Sequence, residues 1–312
     1  MVGEGPLPPA DLALVELLRR LDALGYDFVT PTPATHARVV KRAEKQQART
    51  LRDIFGWSLP FAGETLPADL MALLERGGAL AVEGDVRRSR LRVSRVEDLL
   101  FLHSAYPTDR PDSVFLGPDS YRFVRFVRAH LPAARRVVDM GAGAGVGGIF
   151  AARMLADTPA LLVDANPEAL RLARINAAAA RVPVETVLGS SLDAVPGAFE
   201  LVVANPPFIM DEGGPTYRNG GAMLGAQLSH DWALAAARRL EPGGRVLLYT
   251  ASAIVDGRDG LGEALARDLS PLGCTLAYEE IDPDIFGEEL DLPAYRKVER
   301  IAAIGAIITR AG

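Results

Sequence analysis

Apolar residues recur at helical spacing from Asp11 to Leu24 (Leu12, Leu14, Val15, Leu18, Leu21, Leu24) and stop at Gly25, which predicts an amphipathic helix with a glycine stop. The pattern predicts a second helix over 34–55 and a third over 66–76, closed by Gly77-Gly78. Three short strand-like pieces follow, at 80–82, 91–93 and 99–103, the first two separated by a turn at Gly84-Asp85. Helices followed by a short hairpin resemble a winged-helix arrangement. The polar, proline-containing stretch from Tyr106 to Asp112 then interrupts the periodicity. It divides the chain into an accessory, substrate-recognition domain over 1–112 and a larger domain over 113–312.

From Tyr121 onward the rhythm changes to strand, loop, helix, repeated. Strands are predicted at 136–139, 160–164, 184–188, 201–204 and 245–250, with helices at 145–155, 167–180 and 225–240. This alternation predicts an α/β fold, a parallel sheet covered by helices on both faces. Two final strands, 276–281 and 301–309, have no long helix predicted between them and suit an antiparallel pair at one sheet edge.

The first strand of this region ends at Asp139 and runs into Met140-Gly141-Ala142-Gly143-Ala144-Gly145, ahead of a helix. Closely spaced glycines at a strand's carboxyl end let the backbone turn sharply and allow a nucleotide cofactor to approach without a Cβ in its way. Gly143, Gly145 and Gly148 also match the dinucleotide spacing. Asp139 moves the reading away from a pyrophosphate, which its carboxylate would repel, toward S-adenosylmethionine, which carries an ammonium and a sulfonium. The next strand ends in Asp164, followed by Asn166-Pro167. A carboxylate there can accept both ribose hydroxyls of an adenosine, in either cofactor.

Some sixty residues beyond the glycine loop, the strand at 201–204 ends in Asn205-Pro206-Pro207-Phe208. Consecutive prolines fix their own φ and restrict the residues before them, so the Asn205 side-chain oxygen and the Pro206 carbonyl are expected as two fixed acceptors. Such a pair suits an amide or aminopurine NH₂: bonding both hydrogens favours a pyramidal nitrogen and aims its lone pair. Phe208 would stack on the flat substrate group. The chemistry is then displacement at a sulfonium methyl, driven by orientation and desolvation.

These two motifs, in this order, resemble the class I S-adenosylmethionine-dependent methyltransferases, in the Asn-Pro-Pro-aromatic subset that includes release-factor glutamine methyltransferases of the HemK type, small-domain ribosomal RNA guanine methyltransferases and adenine-N6 DNA methyltransferases. The resemblance covers about 115–309. It implies a Rossmann-like, seven-stranded, mostly parallel sheet with an antiparallel last strand. It implies cofactor contacts from Asp139, Gly141, Gly143 and Asp164, to which the loop adds Gly145 and Asn166, and substrate contacts from Asn205, Pro206 and Phe208. Two departures stand out. Gly117 occupies a position where the subset usually has an arginine, and Gly189-Ser190 stands in place of a Gly-Asp whose acid reaches adenine, a role left to the hydroxyl of Ser190 or Ser191. Tyr217 to Gly221, with Gly225, resembles the glycine-containing loop that follows the substrate turn in HemK-like enzymes.

Composition narrows the partners. Forty-nine per cent hydrophobic and 24% charged residues describe an ordinary globular chain, with no apolar run of membrane-spanning length. The first nine residues lack a basic-then-apolar pattern, and the one cysteine, Cys274, has no disulfide or zinc partner. The expectation is a cytoplasmic protein with no metal, the four histidines showing no ligand spacing. Net charge is −6, but two stretches are basic: Arg38, Lys41, Arg42, Lys45, Arg49 and Arg52, which one helix would place on a single face, and Arg87, Arg88, Arg90, Arg92 and Arg95. Up to Asp112 there are fifteen Lys and Arg against sixteen Asp and Glu, so these are local clusters. They tilt the substrate toward RNA over protein. The expected function is N-methylation of a planar exocyclic nitrogen on an RNA base. Alternatives are a release-factor-type glutamine methyltransferase, an NAD-linked oxidoreductase and a non-catalytic module of the same fold.

Overall fold

The order in which the chain visits its strands determines where a ligand can sit. The computed structural model describes residues 5–156, 158–210 and 219–312. The N-terminal region comprises helices α1 (Pro9–Ala23), α2 (Pro33–Val40), α3 (Leu51–Phe55) and α4 (Ala68–Arg76). Two hairpins follow, β1 (Leu80–Glu83) with β2 (Val86–Ser89), and β3 (Leu91–Val96) with β4 (Leu99–Ser104). The remainder runs α5 (Pro118–His130), β5 (Val137–Met140), α6 (Val146–Met154), β6 (Ala160–Asp164), α7 (Pro167–Ala180), β7 (Val184–Leu188) and β8 (Phe199–Ala204). It ends with α8 (Gln227–Ala237), β9 (Leu240–Val255), β10 (Arg258–Asp259), α9 (Gly260–Leu269), β11 (Cys274–Asp282) and β12 (Arg300–Arg310).

The main sheet has the order β7-β6-β5-β8-β9-β12-β11, with the two-residue β10 paired to β9. Strands β7 to β9 along this path are parallel, and β12 runs antiparallel to both β9 and β11. The expected mostly parallel sheet with an antiparallel last strand is what forms. The chain moves outward from β5 to β7, then returns across β5 to β8. The β5/β8 border is therefore the switch point where the following loops diverge and open a crevice.

Alternation along the strands sorts side chains to two cores. Leu201 and Val203 of β8 join the core under α5, α6 and α7, whereas Val202 and Ala204 join the core under α8 and α9. The N-terminal region adds a third layer to the first of these cores. Leu14, Leu17 and Leu21 of α1 pack in the same cluster as Leu172 and Ile175 of α7. Asn176 of α7, 1% exposed, completes the join. Its side-chain oxygen accepts from Leu102 N at 2.8 Å, and its amide donates to Leu102 O at 3.0 Å and Ala144 O at 2.9 Å. One buried amide thus ties a hairpin of the N-terminal region to the loop after β5.

Several local expectations are corrected. The helix expected over 34–55 is broken into α2, a short 3₁₀ turn at Ala43–Lys45 and α3. The cause is Asp53, whose carboxylate accepts from Arg49 N and Thr50 N at 3.1 Å and from Lys45 Nζ at 2.6 Å. With Thr50 it forms a capping box that starts a new helix. The six basic residues of that stretch therefore do not share one helix face. The first hairpin pairs Leu80–Glu83 with Val86–Ser89, a strand the pattern missed, so 91–93 belongs to a separate hairpin. Two independent hairpins replace the single one of the winged-helix expectation. Strand β9 is longer than the expected 245–250 and α9 was not anticipated, although Asp259 caps it by accepting from Gly262 N at 2.9 Å. Among the described residues no helix is long and apolar enough to cross a membrane.

Candidate functional site

The loop after β5 needs three left-handed residues, and it has glycine at each: Gly141 (φ 71°), Gly143 (φ 54°) and Gly145 (φ 82°). Their surroundings differ. A Cβ on Gly141 would lie 2.7 Å from the Trp232 ring, and one on Gly145 would lie 2.7 Å from Ile149 and 3.1 Å from Ala173. A Cβ on Gly143 would meet nothing within 4 Å. Two of these glycines therefore serve packing, and Gly143 is the one that borders open space.

Carboxylates on either side shape the loop. Asp164 accepts from Gly143 N and from Asn166 N, both at 2.8 Å, so it locks the loop to the end of β6 while retaining acceptor capacity for hydroxyls. Burial raises its pKa above the ordinary carboxylate range, and those backbone donors oppose the rise. Asp139 is 1% exposed and accepts from Gly148 N at 2.7 Å, at the start of α6. Burial raises its pKa to about 7, with a smaller upward push from Asp164. Asp139, expected among the cofactor contacts, is almost sealed from solvent against α6. Asn166 is also diverted. Its oxygen accepts from Glu168 N at 2.9 Å as the α7 cap, and its amide donates to Asp112 O at 3.0 Å. Both polar ends serve the framework.

After β7, Gly189 N donates to Asp164 O at 2.9 Å, bringing this third loop alongside the other two. Ser190 is exposed. Ser191 donates to Asp193 at 2.9 Å and accepts from its backbone N–H, so its hydroxyl is engaged in a turn. Of the two serines proposed to reach adenine, only Ser190 is left on the rim.

Asn205 follows β8 directly, across the switch point from the glycine loop. Its side-chain oxygen is buried and has no hydrogen-bond partner among the described residues. Such an acceptor costs about 1–3 kcal/mol unless something donates to it. Pro206 is buried, and Phe208 is half-buried with its ring 5.6 Å from that of Phe286, edge to face. The turn is held from outside itself. Tyr295, 1% exposed, accepts at its hydroxyl from Met210 N at 2.7 Å and donates to Leu224 O at 3.2 Å. Of the expected glycine-containing loop, Tyr217 and Arg218 lie outside the described residues, but its later part backs the turn closely. Gly220 N donates to Ile209 O at 2.8 Å, and a Cβ on Gly225 would lie 2.3 Å from Phe208 O.

Sequence reasoning missed Tyr295 and Phe286, which reach the site from the β11–β12 connection. No local motif marks them, because their role depends on the antiparallel return of β12. The ring of Trp232, on α8, also covers Gly141.

The crevice fits a cofactor with an adenosine and a cationic centre: Gly143 borders open space, Asp164 can take hydroxyls, and Asp139 and Asp164 make the field negative. Comparison with known proteins agrees. Residues 122–255 match the family described as Methyltransferase small domain. The chain is 33% identical over 171 residues to a release factor glutamine methyltransferase of Deinococcus radiodurans, covering 52% of this chain and 58% of that protein. It is 35% identical over 161 residues to a ribosomal RNA large subunit methyltransferase G of Ectopseudomonas mendocina, covering 46% of this chain and 43% of that one. The chain thus spans less than two thirds of either relative. In fold it is similar to Trm5b of Pyrococcus abyssi, with a TM-score of 0.51 at 15% identity, over 79% of this chain and 72% of that one. The dinucleotide spacing of Gly143, Gly145 and Gly148 is therefore not the mark of an oxidoreductase. Residues 122–255 form a methyltransferase small domain, of the class I S-adenosylmethionine-dependent type.

Proposed function

We propose that the chain methylates a planar exocyclic nitrogen held at Asn205-Pro206-Pro207-Phe208, and that the nitrogen belongs to an RNA base. The observation that carries this reading is the buried oxygen of Asn205, which has no partner among the described residues. A substrate N–H is the donor that such an acceptor requires, and meeting it removes the cost of its isolation.

When bound, S-adenosylmethionine supplies a methyl group on a sulfonium, ready for in-line displacement. The residues of the chain do the rest by position. Gly141, Gly143 and Gly145 shape the cofactor loop, with Gly143 giving close approach, and Asp164 accepts ribose hydroxyls. Asn205 and the Pro206 carbonyl accept hydrogen bonds from the two N–H groups of the NH₂, which turns its lone pair toward the methyl carbon; as the N–C bond forms the C–S bond breaks, and the methylated nitrogen then releases one proton to solvent. Phe208, braced by Phe286, supports the flat face of the substrate.

The preference for RNA rests on the N-terminal cations. Arg38, Lys41, Arg42, Arg49, Arg87, Arg88 and Arg90 form no ion pair with a carboxylate among the described residues, unlike Arg20, Lys45 and Arg95. A glutamine amide is the second reading, favoured by similarity to the Deinococcus radiodurans protein over half of this chain. A transfer assay with methyl-labelled S-adenosylmethionine and a cell extract separates them. Label in ribonuclease-sensitive material, lost with Asn205→Ala, is the expected result. Label in protease-sensitive material would establish the amide reading, and cofactor binding without label in any fraction would point to a non-catalytic module.

A further inference from the structure

A second group of unsatisfied polar atoms lies far from Asn205 in sequence, in the N-terminal region. Arg92 on β3 is 4% exposed, and one of its terminal nitrogens is buried with no hydrogen-bond partner among the described residues. Its Nε donates to Gly56 O at 2.9 Å, and the guanidinium sits 5.6 Å from the centre of the Phe28 ring. No carboxylate pairs with it among the described residues, and the groups that act on it electrically are Tyr26 and Tyr121. His36 on α2, 1% exposed, likewise has a buried Nδ1 without a partner. Burial and the Arg92 charge lower its pKa to about 4, so the ring is neutral. A buried cation with no counter-ion is unusual, because desolvation is costly unless an anion compensates it.

Around these two groups the surface is aromatic and basic. The Tyr106 ring stacks on His36, centroids 4.1 Å apart and planes 31° from parallel, and Trp57 lies 5.3 Å from His36 and edge-on to Phe28 at 5.2 Å. Tyr106 and Trp57 are half-buried, so each ring keeps an accessible part. Arg88 is exposed and donates to Ser58 O at 3.2 Å, while Tyr106 N donates to Ser58 Oγ at 3.2 Å, so both are fixed to the turn after Trp57. Arg52, also exposed, donates to Asp27 O at 2.7 Å and shares the Phe28 ring with Arg92. None of the three arginines has a carboxylate partner among the described residues, the nearby Asp27 being paired with Arg95 at 3.6 Å.

We infer that this surface, formed by Trp57, Tyr106, Arg52 and Arg88 over Arg92 and His36, binds an unpaired segment of the RNA substrate. The inference rests on the RNA reading of the active site. Planar rings with guanidinium groups between them match the alternation of bases and phosphates in a single strand. Arg88 and Arg52 take phosphates, Tyr106 and Trp57 take base faces, and the uncompensated Arg92 makes the ground beneath them positive. The surface is also joined to the catalytic end. Six residues beyond Tyr106, Asp112 O accepts from Asn166, two residues past Asp164. Six residues span at most about 20 Å. Tyr106 therefore lies within about 20 Å of Asp112, a span that a few nucleotides of single strand can cover.

The test uses the full chain with Trp232→Phe, which leaves Trp57 as the sole tryptophan, and a fluorescein-labelled 12-nucleotide oligouridylate. Anisotropy should report binding that weakens with salt, and Trp57 emission should quench in parallel. Arg88→Gln should weaken binding and reduce the salt slope by about one, and Tyr106→Ala should weaken it roughly 5- to 100-fold. Arg92→Met should weaken binding as well. Arg88→Gln lies on the exposed surface and keeps the test valid if Arg92→Met does not fold. Wild-type affinity in both Arg88→Gln and Tyr106→Ala, or no binding by the wild type, overturns the inference. If the extract assay labels RNA while these variants transfer normally, the docking surface is wrong and the RNA reading survives. If it labels protein, and the variants reduce that labelling, the surface serves a protein and both readings fail.

Discussion

The glycine loop and the Asn-Pro-Pro-Phe turn lie side by side at the switch point, yet they are built on opposite terms. The glycine loop is closed by its own neighbourhood. Gly145 N donates to Ala142 O at 2.7 Å, Gly148 N to Asp139 at 2.7 Å, and Gly141 N and Ala142 N to Val163 O on the adjacent strand. Each of its left-handed residues is glycine. The substrate turn keeps an orphan acceptor and is held by Tyr295, 85 residues away from Met210. Around it, left-handed backbone falls on Gly221 and Gly225 but also on three non-glycine residues: Met223 (φ 54°), Leu224 (φ 55°) and Phe286 (φ 55°). Each of these last costs about 1–3 kcal/mol and persists only where the surroundings enforce it. The cofactor loop is locally self-sufficient, while the substrate turn is tuned from a distance at an energetic cost. That division suits a site whose first ligand is common to a family and whose second differs among its members.

The sharpest way to break the comparison is Asn205→Ala. Methyl transfer should fall by about 10²–10³-fold, as for loss of one fixed partner of a reacting group. Cofactor affinity, measured by calorimetry, should stay within a few-fold. Thermal stability should hold or rise, because the substitution removes an isolated buried acceptor. A large loss of cofactor affinity, or a drop in melting temperature, would mean that Asn205 supports the crevice and not the substrate.

Tyr295→Phe tests the distant support. It removes two hydrogen bonds, each worth about 0.5–1.5 kcal/mol, without changing shape. If half of that is expressed in the placement of the turn, kcat falls by about two- to tenfold, with cofactor affinity unchanged. Equal losses in cofactor binding and transfer would show that the two loops are coupled after all.

The same contrast explains what could be read before the fold was known. The glycine loop and Asp164 were legible because their demands are local: a strand end, left-handed turns, then a helix start. Asn205 was legible from the stiffness of the two prolines that follow it. Tyr295, Phe286 and the packing of Trp232 on Gly141 were not, since nothing within a few residues of them marks a site. In the N-terminal region, helical spacing over 34–55 was outweighed by one side chain, Asp53, which captures backbone N–H groups and restarts the helix. Asp139 was marked by its place at the strand end, but only the fold reveals a carboxylate turned against Gly148 and almost sealed from solvent.

Within the glycine loop, Gly143→Ala and Gly145→Ala separate ligand approach from packing. The Cβ of the first enters open space, so stability should fall only by the left-handed penalty of about 1–2 kcal/mol. Cofactor affinity should fall several-fold more than that loss of folding would account for. Gly145→Ala must displace Ile149 or Ala173 as well, so its melting temperature should drop further. The reverse ranking in stability would reassign the two positions.

The smallest effect is a pH dependence set by Asp139. Its pKa is about 7 in the fold, against an ordinary 3.8, because burial disfavours the charge. Between about pH 4 and 7 the folded chain therefore holds a proton that the unfolded chain has released, and this group's contribution to stability declines as pH rises through that window. A bound cation favours the ionised carboxylate, so cofactor binding should expel the proton. Affinity for S-adenosylmethionine should then increase from pH 6 to pH 8 by about threefold to fivefold, the upper figure corresponding to a one-unit drop in the pKa on binding. Asp139→Asn should flatten this dependence and hold affinity near the wild-type value at low pH, with stability at pH 8 maintained or improved. S-adenosylhomocysteine, which lacks the sulfonium charge, should show a shallower rise over the same range. An unchanged slope in Asp139→Asn would place the titrating group elsewhere, with Asp164, whose pKa burial also raises, as the group to substitute next.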